Sequence, residues 1–218
     1  MFVLEFLMMS LHVSLDDIQL FAGRAGEEEA RRVYPYVRTW TQEMESRKAI
    51  WHAGQVLHHA GLFEKTRLRD FYAVATYHAS LTLWVWGMVT LGTTRQSRIQ
   101  TPVGNSSQQP ASMQTPTSAS RAKTRAVLNG PEDKTTKSFV QLGHGVPGLQ
   151  GNTSATSEIA DARPASSSKT FCSLSDSRGV MTFSARLLRG NFPHVKGGFP
   201  PLVENLANLL DELGSLPT

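Results

Sequence analysis

Four histidines, His52, His58, His59 and His78, sit inside helix-patterned sequence and are the first side chains to weigh for metal or proton chemistry. A helix places two imidazoles on one face only at a spacing of three or four residues, the arrangement a metal ion bridging a helix face needs. The intervals 52 to 58 and 58 to 59 provide neither, so these are ordinary polar histidines by spacing. His78 alone falls on an apolar stripe, where a hydrogen-bonded core histidine is expected over a ligand or a base. The single cysteine, Cys172, has no base beside it in sequence and reads as a structural or incidental thiol. One cysteine also excludes, within this chain, a disulfide framework, a zinc site built on two or more cysteines and a cysteine-ligated iron–sulfur cluster.

The string Gly143-His-Gly-Val-Pro-Gly148 satisfies GxGxxG after a short strand-like run, Phe139 to Leu142. A phosphate-binding turn must lead straight into a helix N-terminus. Here Pro147, Gly148, Gly151 and Asn152 lead on into low-complexity sequence, so a plain loop is expected. Asn105-Ser-Ser107 and Asn152-Thr-Ser154 match the glycosylation sequon by composition, and Thr101-Pro102 and Thr115-Pro116 match proline-directed phosphorylation sites only weakly. No GxSxG, HExxH or GxxxxGK[ST] occurs. No residue is therefore assigned as catalytic, cofactor-binding or metal-binding, and the chain is read as non-enzymatic.

Which elements could position these residues depends on composition. The chain has 218 residues, of which 18% are charged, below the roughly 25% of ordinary globular chains. Part of the length is thus expected to lie outside any packed core. The formal charge is +4. Between Gly92 and Thr170 there are nine basic residues against four acidic, a net +5, which leaves −1 for the remainder. The basic excess belongs to a Ser/Thr/Pro/Gln-rich stretch, a solvated tether rather than a folded basic face, so sequence-specific DNA reading by this chain is not expected.

Met1 to Val13 is strongly apolar, but no basic residue precedes it, Glu5 interrupts it and no small-x-small cleavage pattern ends it, so it reads as a buried helix and not as a secretory signal. Phe71 to Leu91 has about the 20-residue length of a membrane span. His78, Ser80 and three threonines dilute it and the flanks carry no one-sided Lys/Arg excess, which favours a central core helix. A membrane-associated helical protein using 1–13 and 71–91 is the alternative.

Three regions follow: 1–91, helix-patterned; 92–170, a disordered low-complexity linker; 171–218, helical again and packing back on the first. Ser14 with Asp17 makes a helix start and Gly23 a stop; Glu27 to Glu29 form an acidic first turn after Gly26; Pro35 predicts a break near Tyr34. Ser46 is the expected cap of a helix whose small-residue stripe, Ile50, Ala53, Gly54, Leu57 and Ala60, runs to Gly61. Phe71, Val74, His78, Leu81, Val85 and Met88 repeat the spacing in the next helix, making an antiparallel hairpin with it. Gly179 to Leu188 forms a short amphipathic helix ended by Gly190, and Gly197 to Pro201 a turn. Pro201 opens a last helix expected to bury Leu202, Val203, Leu206, Leu209, Leu210 and Leu213 on one face. The fold class expected is all-α, an antiparallel helical bundle fragment interrupted by a long Ser/Thr/Pro-rich insertion.

The segments RKAIWHAGQVL (47–57), LRDFYAVATYHASLTLWVWG (68–87), LSDSRGVM (174–181) and GNFPHVKGGFPPLVENLANLLDELG (190–214), with residues 30–40, resemble the C-terminal part of the fungal-specific transcription-factor regulatory domain. This is the middle homology region of zinc-cluster and two-finger zinc regulators. The resemblance implies an all-helical regulatory domain of a nuclear transcription factor that modulates RNA polymerase II transcription, with a homodimer or transcriptional co-regulators as partners. In that family a cysteine-rich N-terminal module holds the zinc and contacts DNA. One cysteine cannot build it, so the chain reads as a C-terminal fragment, with zinc and DNA binding expected only in the missing module.

Overall fold

The computed structural model describes residues 1–99, 124–152, 169–192 and 199–216. Among them the chain forms, in order, helices α1 (Phe2–Leu11), α2 (Leu15–Phe21), α3 (Glu27–Gln42), α4 (Met44–Gly61) and α5 (Phe71–Ile99). These are followed by strand β1 (Arg125–Val127), helix α6 (Lys134–Leu142), strands β2 (Val146–Asn152) and β3 (Lys169–Ser173), and helices α7 (Ser177–Gly190) and α8 (Pro201–Gly214). The protein is mostly helical, but the all-α expectation is corrected: β2 is the centre of a three-stranded sheet, parallel to β1 and antiparallel to β3.

Helix α5 is the axis of the fold. From Ala73 to Val89 it is buried almost all round, with Ala73, Ala75, Ala79, Leu81, Leu83 and Val85 fully covered, because α4, α7, α2, α8 and α3 all pack on it. A single stripe was therefore too narrow an expectation, and Phe71, placed on it, is 49% exposed. The reading of 71–91 as a membrane insertion fails for the same reason, since its apolar side chains are already occupied by the protein's own core. No helix among the described residues is long and apolar enough to cross a membrane. The buried hydroxyls of Thr76, Ser80 and Thr82 donate to the carbonyls of Tyr72, Thr76 and His78 one turn back, at 2.7, 2.8 and 2.9 Å. Each is thus satisfied within the helix, leaving the outside of α5 free for apolar contact.

Local details differ where tertiary contacts outweigh sequence signals. Helix α3 runs on through Pro35 without the break read near Tyr34. Pro35 lies on the exposed side, where water can take the carbonyl it leaves unbonded, while buried Val33 and Val37 hold the other side. Ser46 is not the cap of α4. The helix starts earlier, at Met44, and Ser46 is buried inside it, donating to Glu43 O at 2.9 Å and accepting from Trp86 Nε1 at 3.2 Å.

The largest departure lies between 124 and 152, inside the stretch expected to be a linker. Asp133 caps α6 by accepting from Thr136 N at 2.7 Å, Thr136 Oγ1 accepts from Asp133 N at 2.9 Å, and Gly143 ends the helix in the left-handed region at φ 74°. Phe139 meets Trp86 edge-on at 6.0 Å, and Ala126, Leu128, Phe139 and Leu149 are buried. Two helical glycines admit this layer. A Cβ on Gly54 would lie 2.5 Å from Leu128 Cβ and from its carbonyl oxygen, and one on Gly87 would overlap the carbonyl of Leu174, just after β3. Residues 100–123 and 153–168 of the expected linker lie outside the described residues, as do Gly197 and Gly198 of the turn before the last helix.

In α8, Val203, Leu206, Ala207 and Leu210 are buried, whereas Leu202 and Leu209, expected in the core, are 41% and 44% exposed. The apolar arc of this helix is wider than the face α5 and α7 cover.

The two contacts predict a measurable cost. Gly87→Ala gains up to about 1 kcal/mol of helix propensity but drives a methyl group into backbone. It should therefore destabilise the protein by about 2 kcal/mol net in urea unfolding, whereas Gly92→Ala, whose Cβ would meet open space, should not.

Candidate functional site

The histidines are dispersed. His58 Nδ1 lies 3.0 Å from Asn129 O, so its Nδ1–H donates to that carbonyl and fastens α4 to the loop after β1. Gln55 does the same with two bonds of 2.8 Å, to Leu128 O and Gly130 O. His59 packs edge-on against His58 at 5.3 Å, and burial, with the neighbouring His58, lowers its pKa. His78 is part-buried beneath α2, with Gln19 Nε2 at 3.4 Å from its Nδ1, and burial lowers its pKa, so it is neutral at pH 7. It is a hydrogen-bonded histidine of the core edge.

A pairing without any sequence signal joins α1 to α4. His52 Nδ1 lies 2.7 Å from Glu5 Oε2, and His12 Nδ1 lies 2.5 Å from Glu45 Oε2, with the two imidazoles stacked at 6.0 Å and 14°. Lys48 Nζ, at 2.8 Å, also holds Glu45, and this lysine, followed by His12, lowers the Glu45 carboxyl pKa. Trp40 Nε1 donates to His12 O at 2.8 Å. A carboxylate on Nδ1 is the arrangement that orients a general base. Here it spans a helix–helix seam, and four cavities of 420 to 530 Å³ among the described residues are lined by other side chains. The two pairs therefore work as bolts between α1 and α4. Among the described residues no three His, Cys, Asp or Glu side chains come together as metal ligands.

The remaining chemical candidates are accounted for locally. Gly143 and Gly145 take positive φ, and the GxGxxG string turns into strand β2 instead of a helix, so it makes no phosphate cradle. Its last glycine, Gly148, lies where a side chain would strike the Phe171 ring and the Cys172 carbonyl. Cys172 is half-buried, its Sγ 3.9 Å from Asp176 Oδ2; burial, then the carboxylate charge, pushes its thiol up to about 11. Asn152 ends β2, while Asn105, Thr101 and Thr115 lie outside the described residues.

Among the exposed apolar side chains of the described residues, two groups lie along helices. On α1, Phe2 and Met9 face the core, but Val3, Leu4, Leu7 and Leu11 are 42 to 75% exposed. The buried-helix expectation for this segment therefore holds for one side only. On and just past α8, Leu202, Leu209 and Leu216 leave exposed apolar surface. It borders a cavity of about 420 Å³ between α2 and α8, floored by Tyr77 of α5 and lined also by Gln19, Arg24 and Glu212. Neither face was legible as exposed, because a leucine repeat reports that a face is apolar and not what covers it.

No family model, curated protein or solved structure matches the chain.

A thiol held near 11 is almost wholly protonated at neutral pH, and the thiolate is the reactive form. Cys172 should react with iodoacetamide at pH 7.5 on the order of 100-fold more slowly than a thiol of ordinary pKa, with the rate rising about tenfold per pH unit up to about pH 10. Mass spectrometry of the alkylated chain measures both.

Proposed function

We propose that the chain is a non-enzymatic helical regulatory domain that modulates RNA polymerase II transcription in the nucleus. It would be of the kind found in fungal zinc-cluster and two-finger zinc regulators, with DNA and zinc handled by a separate cysteine-rich module. The observation that carries this proposal is spatial. WHAGQVL, FYAVATYHASLTLWVWG and PPLVENL, distant in sequence, belong to α4, α5 and α8, all of which contribute to one core. The residues that give the resemblance are therefore packing residues: Ala53, Val56, Leu57, Leu81, Leu83, Val85, Val203 and Leu206 are buried.

A further support is the way chemistry-bearing side chains are used. His52, His58 and His78 each hold one helix to a neighbouring element, and Cys172 is protonated at neutral pH. A domain built this way can transmit a packing change between helices and presents apolar surface for other proteins.

Fusing the full chain to an unrelated DNA-binding module upstream of a polymerase II reporter tests the proposal. Reporter output should change relative to the module alone, and Leu83→Asp, which places a charge in the core of α5, should abolish the change. Unaltered output with a folded, nuclear fusion contradicts it.

A further inference from the structure

The cavity of about 530 Å³ lies where α6 runs beside the entry to β2, and it is lined by hydrogen-bond donors and by no acidic side chain: Lys134 and Ser138 on the helix face His144 and Gly145 of the loop, with Thr124 at the start of β1. These donors are uncommitted. Among the described residues Lys134 makes no ion pair, the Ser138 hydroxyl no hydrogen bond, and the backbone N–H groups of His144 and Gly145 meet no acceptor. The amides on either side of that pair are both bonded, Gly143 N to Phe139 O and Val146 N to Thr124 O, each at 2.8 Å. Two successive N–H groups are thus left open by a loop whose Gly143 and Gly145 hold φ at 74° and 115°. At Gly145 a side chain would also lie 2.9 Å from the Thr124 carbonyl, so the backbone can take this course only with glycine there.

The negative groups nearby are spent on the protein itself. Asp133 accepts from Thr136 N at 2.7 Å and from Thr135 Oγ1 at 2.6 Å, and Glu132 pairs with Lys137 at 3.4 Å. The last carbonyls of α6, which would repel an anion, are met by Arg47, whose Nε donates to Val140 O at 3.0 Å and Nη2 to Gln141 O at 3.4 Å.

We infer that this groove binds a small phosphomonoester, its phosphoryl oxygens received by Lys134, Ser138 and the amides of His144 and Gly145. The glycine string alone makes no cradle, because no helix starts after it. Opposite it, α6 supplies the cation and the hydroxyl that the string lacks. A carboxylate offers two oxygens in one plane, whereas an ammonium, a hydroxyl and two amides from separate segments suit the tetrahedral oxygens of a phosphoryl group. The volume falls in the range of small-molecule sites, roughly 300–1,000 Å³, and is more than a bare phosphate ion fills. Val146 and the methyl groups of Thr124 and Thr135 give an organic remainder an apolar side. This inference does not depend on the regulatory function proposed above.

Titrating the isotope-labelled full chain by NMR at constant ionic strength tests it, with phenyl phosphate as the probe and inorganic phosphate and benzoate in parallel. The amide signals of His144 and Gly145 should shift saturably, and phenyl phosphate should bind more tightly than either of the other two. Lys134→Ala should weaken binding about tenfold, the loss of one hydrogen bond to a charged group, and Ser138→Ala should weaken it less. Lys137→Gln, which removes the same charge from α6 outside the groove, should leave it unchanged. Thermal melts establish that each variant folds. Shifts that never saturate, a folded Lys134→Ala variant that binds like the wild type, or an equal loss with Lys137→Gln overturns the inference. So does equal affinity for inorganic phosphate or benzoate, which would make the groove a general anion patch.

Discussion

Everything in this structure depends on how closely the small sheet layer can approach the α4–α5 hairpin. At Gly54 the backbone and Cβ of Leu128 occupy the space a side chain would take, and at Gly87 the carbonyl of Leu174 does. Each glycine costs its helix up to about 1 kcal/mol against alanine. What it admits is larger: Leu128, Leu149 and Leu174 are fully buried, and each such side chain contributes about 2 kcal/mol by leaving water. The polar groups of the approaching chain are met by Gln55, His58 and Arg47, which accompany the glycines along α4.

From that constraint follows the division of labour among polar side chains. Where α5 is buried almost all round, from Ala73 to Val89, it can keep hydroxyls only if they bond to their own backbone, as those of Thr76, Ser80 and Thr82 do. One buried group, Trp84 Nε1, has no partner among the described residues. His12, His52, His58 and His78 sit on the edges of the core, where each reaches a carboxylate, an amide or a carbonyl of a neighbouring element. The cysteine and the glycine string, the two motifs with a chemical look, are likewise used for packing at β2 and β3. Surface apolar residues are then what remains unexplained by the fold itself, and groups of them lie on α1 and at α8.

The helical hairpin was legible because Ile50, Ala53, Leu57 and Ala60 repeat at helical spacing and Gly61 stops the pattern, and α8 was legible from Pro201 onward. The sheet was hidden, since β1 has three residues and β3 five, too short for an alternating pattern, and β2 is VPGLQGN, a string that reads as a loop. Signals for α6 were present in Asp133 with Thr136 and in Gly143, a cap and a stop nine residues apart in helix length, but Ser/Thr-rich surroundings masked them. The pairing of His12 with Glu45 and of His52 with Glu5 had no local signal, because it depends on where α1 crosses α4. Composition describes an average over a stretch, and a few well-placed apolar residues such as Leu128 and Phe139 are enough to fold part of it.

Native-state hydrogen exchange of the intact chain, followed by mass spectrometry, measures the central claim directly. Amides of β2, β3 and α6 should be protected together with those of α5 and open with the same free energy, as parts of one cooperative unit. Exchange of 125–152 at the rate of an unstructured peptide, while α4 and α5 remain protected, would contradict the account.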